Sequence, residues 1–186
     1  MGKMTTGKAR LSYANIFKPK AFTEGGEEKY SVVLLIPKTD KTQIKRIKEE
    51  IKAATEQGMK DNWDGKMPKK FWNPLQDGDD EKADEHPEYE GMYFLNAKSS
   101  NPPVIVDRDR NEILDATEVY SGCYARASIT FYPFGGKNAK TGGNSGVAVA
   151  LNGIQKLADG EPLGAGRINP DEEFGDDFED DDDLLG

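Results

Sequence analysis

The stretch VYSGCYARASITFYPF, Val119 to Phe134, is the longest run in this chain that alternates as a β-strand must, and it constrains the fold more than any other segment. Cys123, Ala125, Ala127, Ile129 and Phe131 fall on one side, small and apolar, suited to lying over a core. Tyr120, Tyr124, Arg126, Ser128, Thr130 and Tyr132 fall on the other. A strand face that only has to dissolve usually carries Lys, Glu and Thr. Phenols around a guanidinium suit a flat, charged ligand, and single-stranded nucleic acid is the obvious candidate. The same tyrosines would also serve beneath a second layer with their hydroxyls at its edge, and the strand alone does not choose between the two.

Around this run the chain reads as strands with one helix. Arg10–Phe17 alternates well enough for a first strand, and Gly25-Gly26 marks a turn. Lys29–Ile36 (KYSVVLLI) is apolar almost without interruption, which requires cover on both faces. Asp40 is placed to cap a helix, with Gln43 three residues on. Ile44, Ile47, Ile51 and Ala54 then recur at helical spacing to about Glu56, and Gly58 is the expected stop. The lysines and glutamates between them form a solvated face. Shorter strands are expected at Met92–Lys98 and Val104–Val106, with a charged turn at Asp107–Asn111. Val147–Leu157 pairs back on the long strand, with Val147, Val149 and Leu151 on one face. The predicted fold is mainly β: a small β-barrel with one capping α-helix.

The net charge of −9 looks wrong for a nucleic-acid binder until it is located. Residues 171–186 hold ten acids and no Lys or Arg; without them, 24 acids face 25 basic residues. A second block, Asp77–Glu90, holds eight acids and only Lys82. Outside both, 24 basic residues face 16 acids, a body of +8. The domain expected from this is 1–157, with an insertion at about 59–90, a linker at 158–170 and an acidic tail at 171–186. Within the insertion, Trp63 reads as an anchor. Phe71 and Trp72 follow Lys69-Lys70 and are open to stacking or anchoring. Asp77–Glu90 reads as a solvated or disordered loop.

Other chemistry is poorly supported. One histidine, His86, and one cysteine, Cys123, exclude the usual zinc sets and offer little for a nucleophile–base pair. Asp77, Asp79, Glu81 and Glu88 can be laid on a calcium loop, but Lys82 stands where its turn needs glycine. The glycine-rich hairpin tip, Gly135–Gly146, lacks the glycine-lysine pair of a phosphate-binding loop, though Lys137 and Lys140 can still meet phosphate. No cofactor, no metal and no enzymatic activity are expected. Cysteine usage suits a reducing cytoplasm, and no apolar run nears the roughly 20 residues that span a bilayer, so no membrane is expected.

The tail DEEFGDDFEDDDDLLG is too charged to fold, yet Phe174, Phe178, Leu184 and Leu185 are spaced among its acids. Plain solubilising tails have no use for those side chains; a basic, apolar-lined groove does. Four stretches, ARLSYANIFKP at 9–19, SGCYARASITFYPF at 121–134, GVAVALNGIQKL at 146–157 and DDFEDDDDLLG at 176–186, together resemble the single-stranded-DNA-binding proteins of bacteriophage replication. The resemblance implies an OB-fold that binds single strands with little sequence preference, and a tail that recruits replication proteins such as a polymerase, helicase or primase. It implies work in the host cytoplasm, with a homodimer left open. Tails of this type often finish on an aromatic residue; this one finishes Leu184-Leu185-Gly186.

The DNA contacts expected first are Tyr124, Arg126 and Tyr132, followed by Lys18, Lys20, Phe71, Trp72, Lys98, Arg108, Lys137 and Lys140. The tail residues expected to bind partners, and to lie in the DNA groove when DNA is absent, are Phe174, Phe178, Asp180, Asp181, Asp182, Asp183, Leu184 and Leu185. Two other classes stay open: a DNA mimic that inhibits a host nuclease or repressor through Asp77–Glu90 and the tail, and a virion assembly or structural protein.

Overall fold

A computed structural model describes residues 2–21, 23–81, 85–136 and 145–163. Lys137, Lys140 and every singled-out tail residue lie outside the described residues. In chain order the elements are β1 (Lys3–Thr5), β2 (Ala9–Ala21), β3 (Glu28–Pro37), α1 (Lys41–Asp61), β4 (Phe71–Trp72), β5 (Gln76–Asp77), α2 (Gly78–Glu81), β6 (Met92–Ser99), β7 (Val104–Val106), β8 (Tyr124–Phe134) and β9 (Ser145–Ala158). β2 pairs with β3, β3 with β6, β6 with β9, β9 with β8 and β8 with β2, so five strands close a ring. The chain is mainly β with one main helix, as the pattern predicts.

The continuous apolar run of β3 is explained by two cores. Val32, Leu34 and Ile36 join the main cluster with Ile44, Ile47 and Ile51 of α1 and Ala125, Ala127 and Ile129 of β8. Val33 and Leu35 face the other way and pack with Tyr89 and Phe94. Tyr89 belongs to the acidic block, so that block is not the solvated loop its composition suggests. Its ring is fully buried, its edge meets Phe94 with centroids 5.2 Å apart, and its hydroxyl donates to Ser12 Oγ at 3.2 Å. Burial pushes the Tyr89 phenol up to about 12.

The block is also tied down by charge. Lys38 Nζ lies 2.7 Å from both Asp77 Oδ1 and Asp79 Oδ2, and these contacts hold both carboxyls below the usual carboxylate range. A carboxyl depressed in the fold contributes stability above its ordinary value and loses it as pH falls through the depressed one. Stability measured by urea titration therefore declines between about pH 4 and the depressed values, and Asp77→Asn with Asp79→Asn removes that part of the decline.

α1 starts as expected: the Gln43 amide donates to Asp40 Oδ1 at 3.3 Å, and Gln43 Nε2 donates to Asp40 Oδ2 at 2.9 Å. It does not stop at Gly58 but runs to Asp61. Gly58 is buried in the helix, where an added Cβ would stand 2.6 Å from the Trp63 ring and 2.8 Å from Pro133 Cβ. The glycine serves a close approach, not a turn. Trp63 is the anchor expected, its indole N–H donating to the Phe134 carbonyl at 3.2 Å.

β8 is shorter than the opening run suggests. Val119–Cys123 is a turn, with the Cys123 amide donating to Tyr120 O at 3.2 Å, and the strand proper begins at Tyr124. Tyr120 is therefore not on the outer strand face; its hydroxyl meets Asp159 Oδ1 at 3.1 Å and Gly160 O at 3.0 Å. These contacts, with the Leu163 amide donating to Ser121 O at 2.9 Å, lay residues 159–163 of the expected linker against the body. Among the described residues, no helix is long and apolar enough to cross a membrane.

Candidate nucleic-acid interface

The inward face of β8 is Ala125, Ala127, Ile129 and Phe131, all buried, so Arg126, Ser128, Thr130 and Tyr132 must face out. β9 repeats the division: Val147, Val149 and Leu151 are buried, while Ala148, Ala150 and Asn152 face out. The register places Tyr132 beside Ala148 and Thr130 beside Ala150. On the other side of β9, Lys98 of β6 is also beside Ala150. Trp72 of β4 pairs with Gly146 in parallel. Small β9 side chains thus make a floor between the Tyr132 ring, the Lys98 chain and the Trp72 indole.

The result is an open groove of about 640 Å³, lined by Trp72, Tyr132, Phe134, Lys29, Lys98 and the floor alanines. Its polar edge is Asn96, Asn101 and Asn152. Trp72 and Tyr132 are 50 % and 44 % exposed, so each offers a ring face without having to move. Gly146 is needed here: an added Cβ would stand 2.3 Å from the Trp72 carbonyl oxygen, and β4 could not reach β9. Asn152 Nδ2 donates to Thr130 Oγ1 at 3.0 Å, joining the two outer faces. Beyond Asn152 the groove continues into a smaller depression of about 300 Å³ lined by Arg126, Val104, Val106 and Ile154. From Tyr132 to Arg126 the path is about 20 Å along the strand.

Three expected contacts, Trp72, Lys98 and Tyr132, therefore meet in one groove, and Arg126 lies at its extension. Lys20 is exposed and pairs across the sheet with Lys29, a groove residue; Lys18 is exposed on the same strand. Tyr124 is placed differently. Lys8 Nζ stands 4.5 Å from its ring centroid and Arg10 Cζ 5.8 Å, so cations already occupy its surroundings. Phe71 is half-buried against Trp63, edge to face at 6.0 Å, and does not line the groove. Arg108 is exposed on the turn after β7, its carbonyl accepting from Gln155 Nε2 at 3.2 Å. Lys29, Asn96, Asn101, Asn152 and the alanine floor were not singled out from sequence. The outer face of VAVALN carried the signal for the floor, in Ala148, Ala150 and Asn152.

Comparison with known proteins follows the same direction. Residues 2–185 match the model of the family described as Enterobacter phage Enc34, ssDNA-binding protein. Protein p50 of Acyrthosiphon pisum secondary endosymbiont phage 1 is 30% identical over 184 residues, covering 94% of this chain and 93% of that protein. The structure of the single-stranded DNA-binding protein from bacteriophage Enc34 in complex with ssDNA superposes with a TM-score of 0.73 at 29% identity, over 88% of this chain and 90% of that one. Gp2.5, a single-stranded DNA binding protein encoded by bacteriophage T7, shares the fold at TM-score 0.63 and 18% identity, over 97% and 98% of the two chains. Sheet, helix and groove are thus held by a sequence matched along nearly its whole length, and the chain belongs to the Enc34 single-stranded-DNA-binding protein family.

Proposed function

We propose that this protein binds single-stranded DNA without strong sequence preference, and that the groove between Trp72, Tyr132 and Lys98 receives it. The observation that carries the reading is two half-exposed aromatic rings on a floor of alanines with lysines at the rim. Bases stack on the rings, each contact worth about 1–3 kcal/mol, and every base has a face to offer. Lys29, Lys98 and Lys20 follow the phosphates, with Arg126 farther along the path. Duplex DNA keeps its bases stacked on one another and cannot use the rings. A 29% identical relative has been solved with ssDNA bound, which supports the same ligand here. Asp77 and Asp79 are engaged by Lys38, which weakens the acidic block as a mimic of DNA.

Salt titration tests the phosphate contacts. With phosphate contacts from three lysines, or four with Arg126, log affinity for oligo-dT falls against log salt with a slope of roughly −2 to −3. A flat response contradicts groove binding.

The replication role is a further part of the proposal. The tail competes with the strand for the positive charge of the body and recruits replication proteins such as a polymerase, helicase or primase in the host cytoplasm. Removing residues 171–186, with their ten acids, then tightens oligo-dT binding, most at low salt. Unchanged affinity removes the competition.

A further inference from the structure

At the far end of the groove β9 runs between β7 and β8. On one side β7 is parallel to it, with Val104 opposite Gly153 and Val106 opposite Gln155. On the other side β8 sets Ser128 opposite Gly153 and Arg126 opposite Gln155. Ile105 is buried, so its neighbours Val104 and Val106 turn outward, and Val104 is 64 % exposed. Gly153 has no side chain and leaves a gap between the valines and Ser128. That gap is the floor of the smaller depression of about 300 Å³. One wall is the two valines, and Arg126, Gln155 and Asn152 stand on the rest of the rim.

The polar groups on the rim are held in one orientation. Asn152 Nδ2 donates to Thr130 Oγ1 at 3.0 Å and to Ser128 Oγ at 3.5 Å. Gln155 Nε2 donates to the carbonyls of Asp107 and Arg108 at 3.3 and 3.2 Å. Each amide thus spends its donors inside the protein. Among the described residues nothing donates to Asn152 Oδ1 or Gln155 Oε1 in return. Arg126 is exposed and has no ion pair among the described residues. The depression therefore presents two amide acceptors and a guanidinium donor beside an apolar wall.

That combination selects among ligands. An apolar side chain of another protein would leave both amide carbonyls and Arg126 without partners. A phosphate alone would meet the carbonyl oxygens and gain nothing from the valines. A base edge uses all three features, because every base carries a donor beside an acceptor. Hydrogen bonds therefore hold any base here, and only thymine adds a methyl group for the valines to cover. Its N3–H gives to an amide carbonyl and a ring carbonyl accepts from Arg126. The guanidinium has five N–H donors, so it serves the base and keeps others for the adjacent phosphate.

We infer that this depression is a base subsite that prefers thymine, with Val104 and Val106 receiving its methyl group. It is the one place on an otherwise sequence-tolerant path where the protein reads its strand. The same methyl distinguishes thymine from the uracil of RNA, so the subsite favours DNA over RNA. The inference rests on the strand lying in the Trp72–Tyr132 groove, with which the depression is continuous.

Anisotropy titrations of the full-length protein with labelled oligo-dT and oligo-dU of equal length test this. Covering one methyl group favours oligo-dT about fourfold. Val104→Thr with Val106→Thr keeps the shape and the β-branching of both side chains and replaces one methyl of each by a hydroxyl. In that variant the preference for oligo-dT falls below twofold. Equal affinity for the two oligonucleotides in the unsubstituted protein overturns the inference. So does a preference that the threonine variant keeps, which would place the methyl on the Trp72 or Tyr132 ring instead. In either case the groove reading survives as long as Trp72→Ala with Tyr132→Ala weakens binding of both oligonucleotides. If that alanine variant binds both as tightly as the unsubstituted protein, the groove reading fails and takes this inference with it.

Discussion

Replacing Trp72 and Tyr132 together by alanine lowers the affinity for oligo-dT at least thirtyfold, and each single replacement lowers it about five- to 150-fold, on the basis of 1–3 kcal/mol per stacked base. Both rings are about half exposed and neither belongs to the buried core, so each truncation costs only about 1 kcal/mol of stability, which the fold tolerates. Phe71→Ala gives the opposite pattern, because its ring lies against Trp63: stability falls while affinity changes little. Equilibrium binding by anisotropy of a labelled oligo-dT, alongside urea titration of each variant, separates the two effects. An affinity within twofold of the unsubstituted protein for the double variant would place the strand elsewhere.

Tyr89→Ala has the largest expected effect on stability. The ring is completely buried among Val33, Leu35 and Phe94, and truncation leaves a cavity in a small cluster that has little else to close it. Truncation of a large buried aromatic costs about 3–5 kcal/mol. Tyr89→Phe keeps the ring and loses only the bond to Ser12 Oγ, which costs about 1 kcal/mol. Urea titration of both variants checks the pair. If the acidic block were a loosely attached loop, the two variants would differ little and both would lie near the unsubstituted protein.

The same residue shows where the sequence is legible and where it is not. Val32–Ile36 could be recognised as a strand covered on both faces, because burial of consecutive residues leaves no polar position to alternate with. The cover on one face is Tyr89, and a window containing eight acids hides a single core tyrosine. Ion pairs to Lys38 are equally invisible in sequence, since they join residues about forty positions apart. The helix was legible from its isoleucines and its cap, but its end was not. Glycine as a stop and glycine as a packing contact look alike, and only the positions of Trp63 and Pro133 distinguish them.

The groove was legible in its parts. Tyr132 and Arg126 follow from alternation on one strand, and Trp72 from an aromatic beside lysines. Their meeting depends on β4, two residues long and parallel to β9, which is too short to leave any periodicity. Lys29 gave no signal because its role comes from register: it stands opposite Lys20 and at the rim of a floor made by residues 148 and 150. The surroundings of Tyr124 were equally hidden: Lys8 and Arg10 come from a neighbouring strand and its approach, and both stand at its ring.

The most direct measurement is tryptophan fluorescence during titration with oligo-dT, comparing the unsubstituted protein with Trp72→Phe. Trp63 is buried and bonded to Phe134 O, so it reports little on bound DNA, whereas Trp72 is half exposed in the groove. Phenylalanine still offers a ring, so the expected result is affinity retained within a few-fold and most of the quenching lost. Quenching of the same depth in Trp72→Phe would show that the strand does not lie on Trp72, and would contradict the groove as its site.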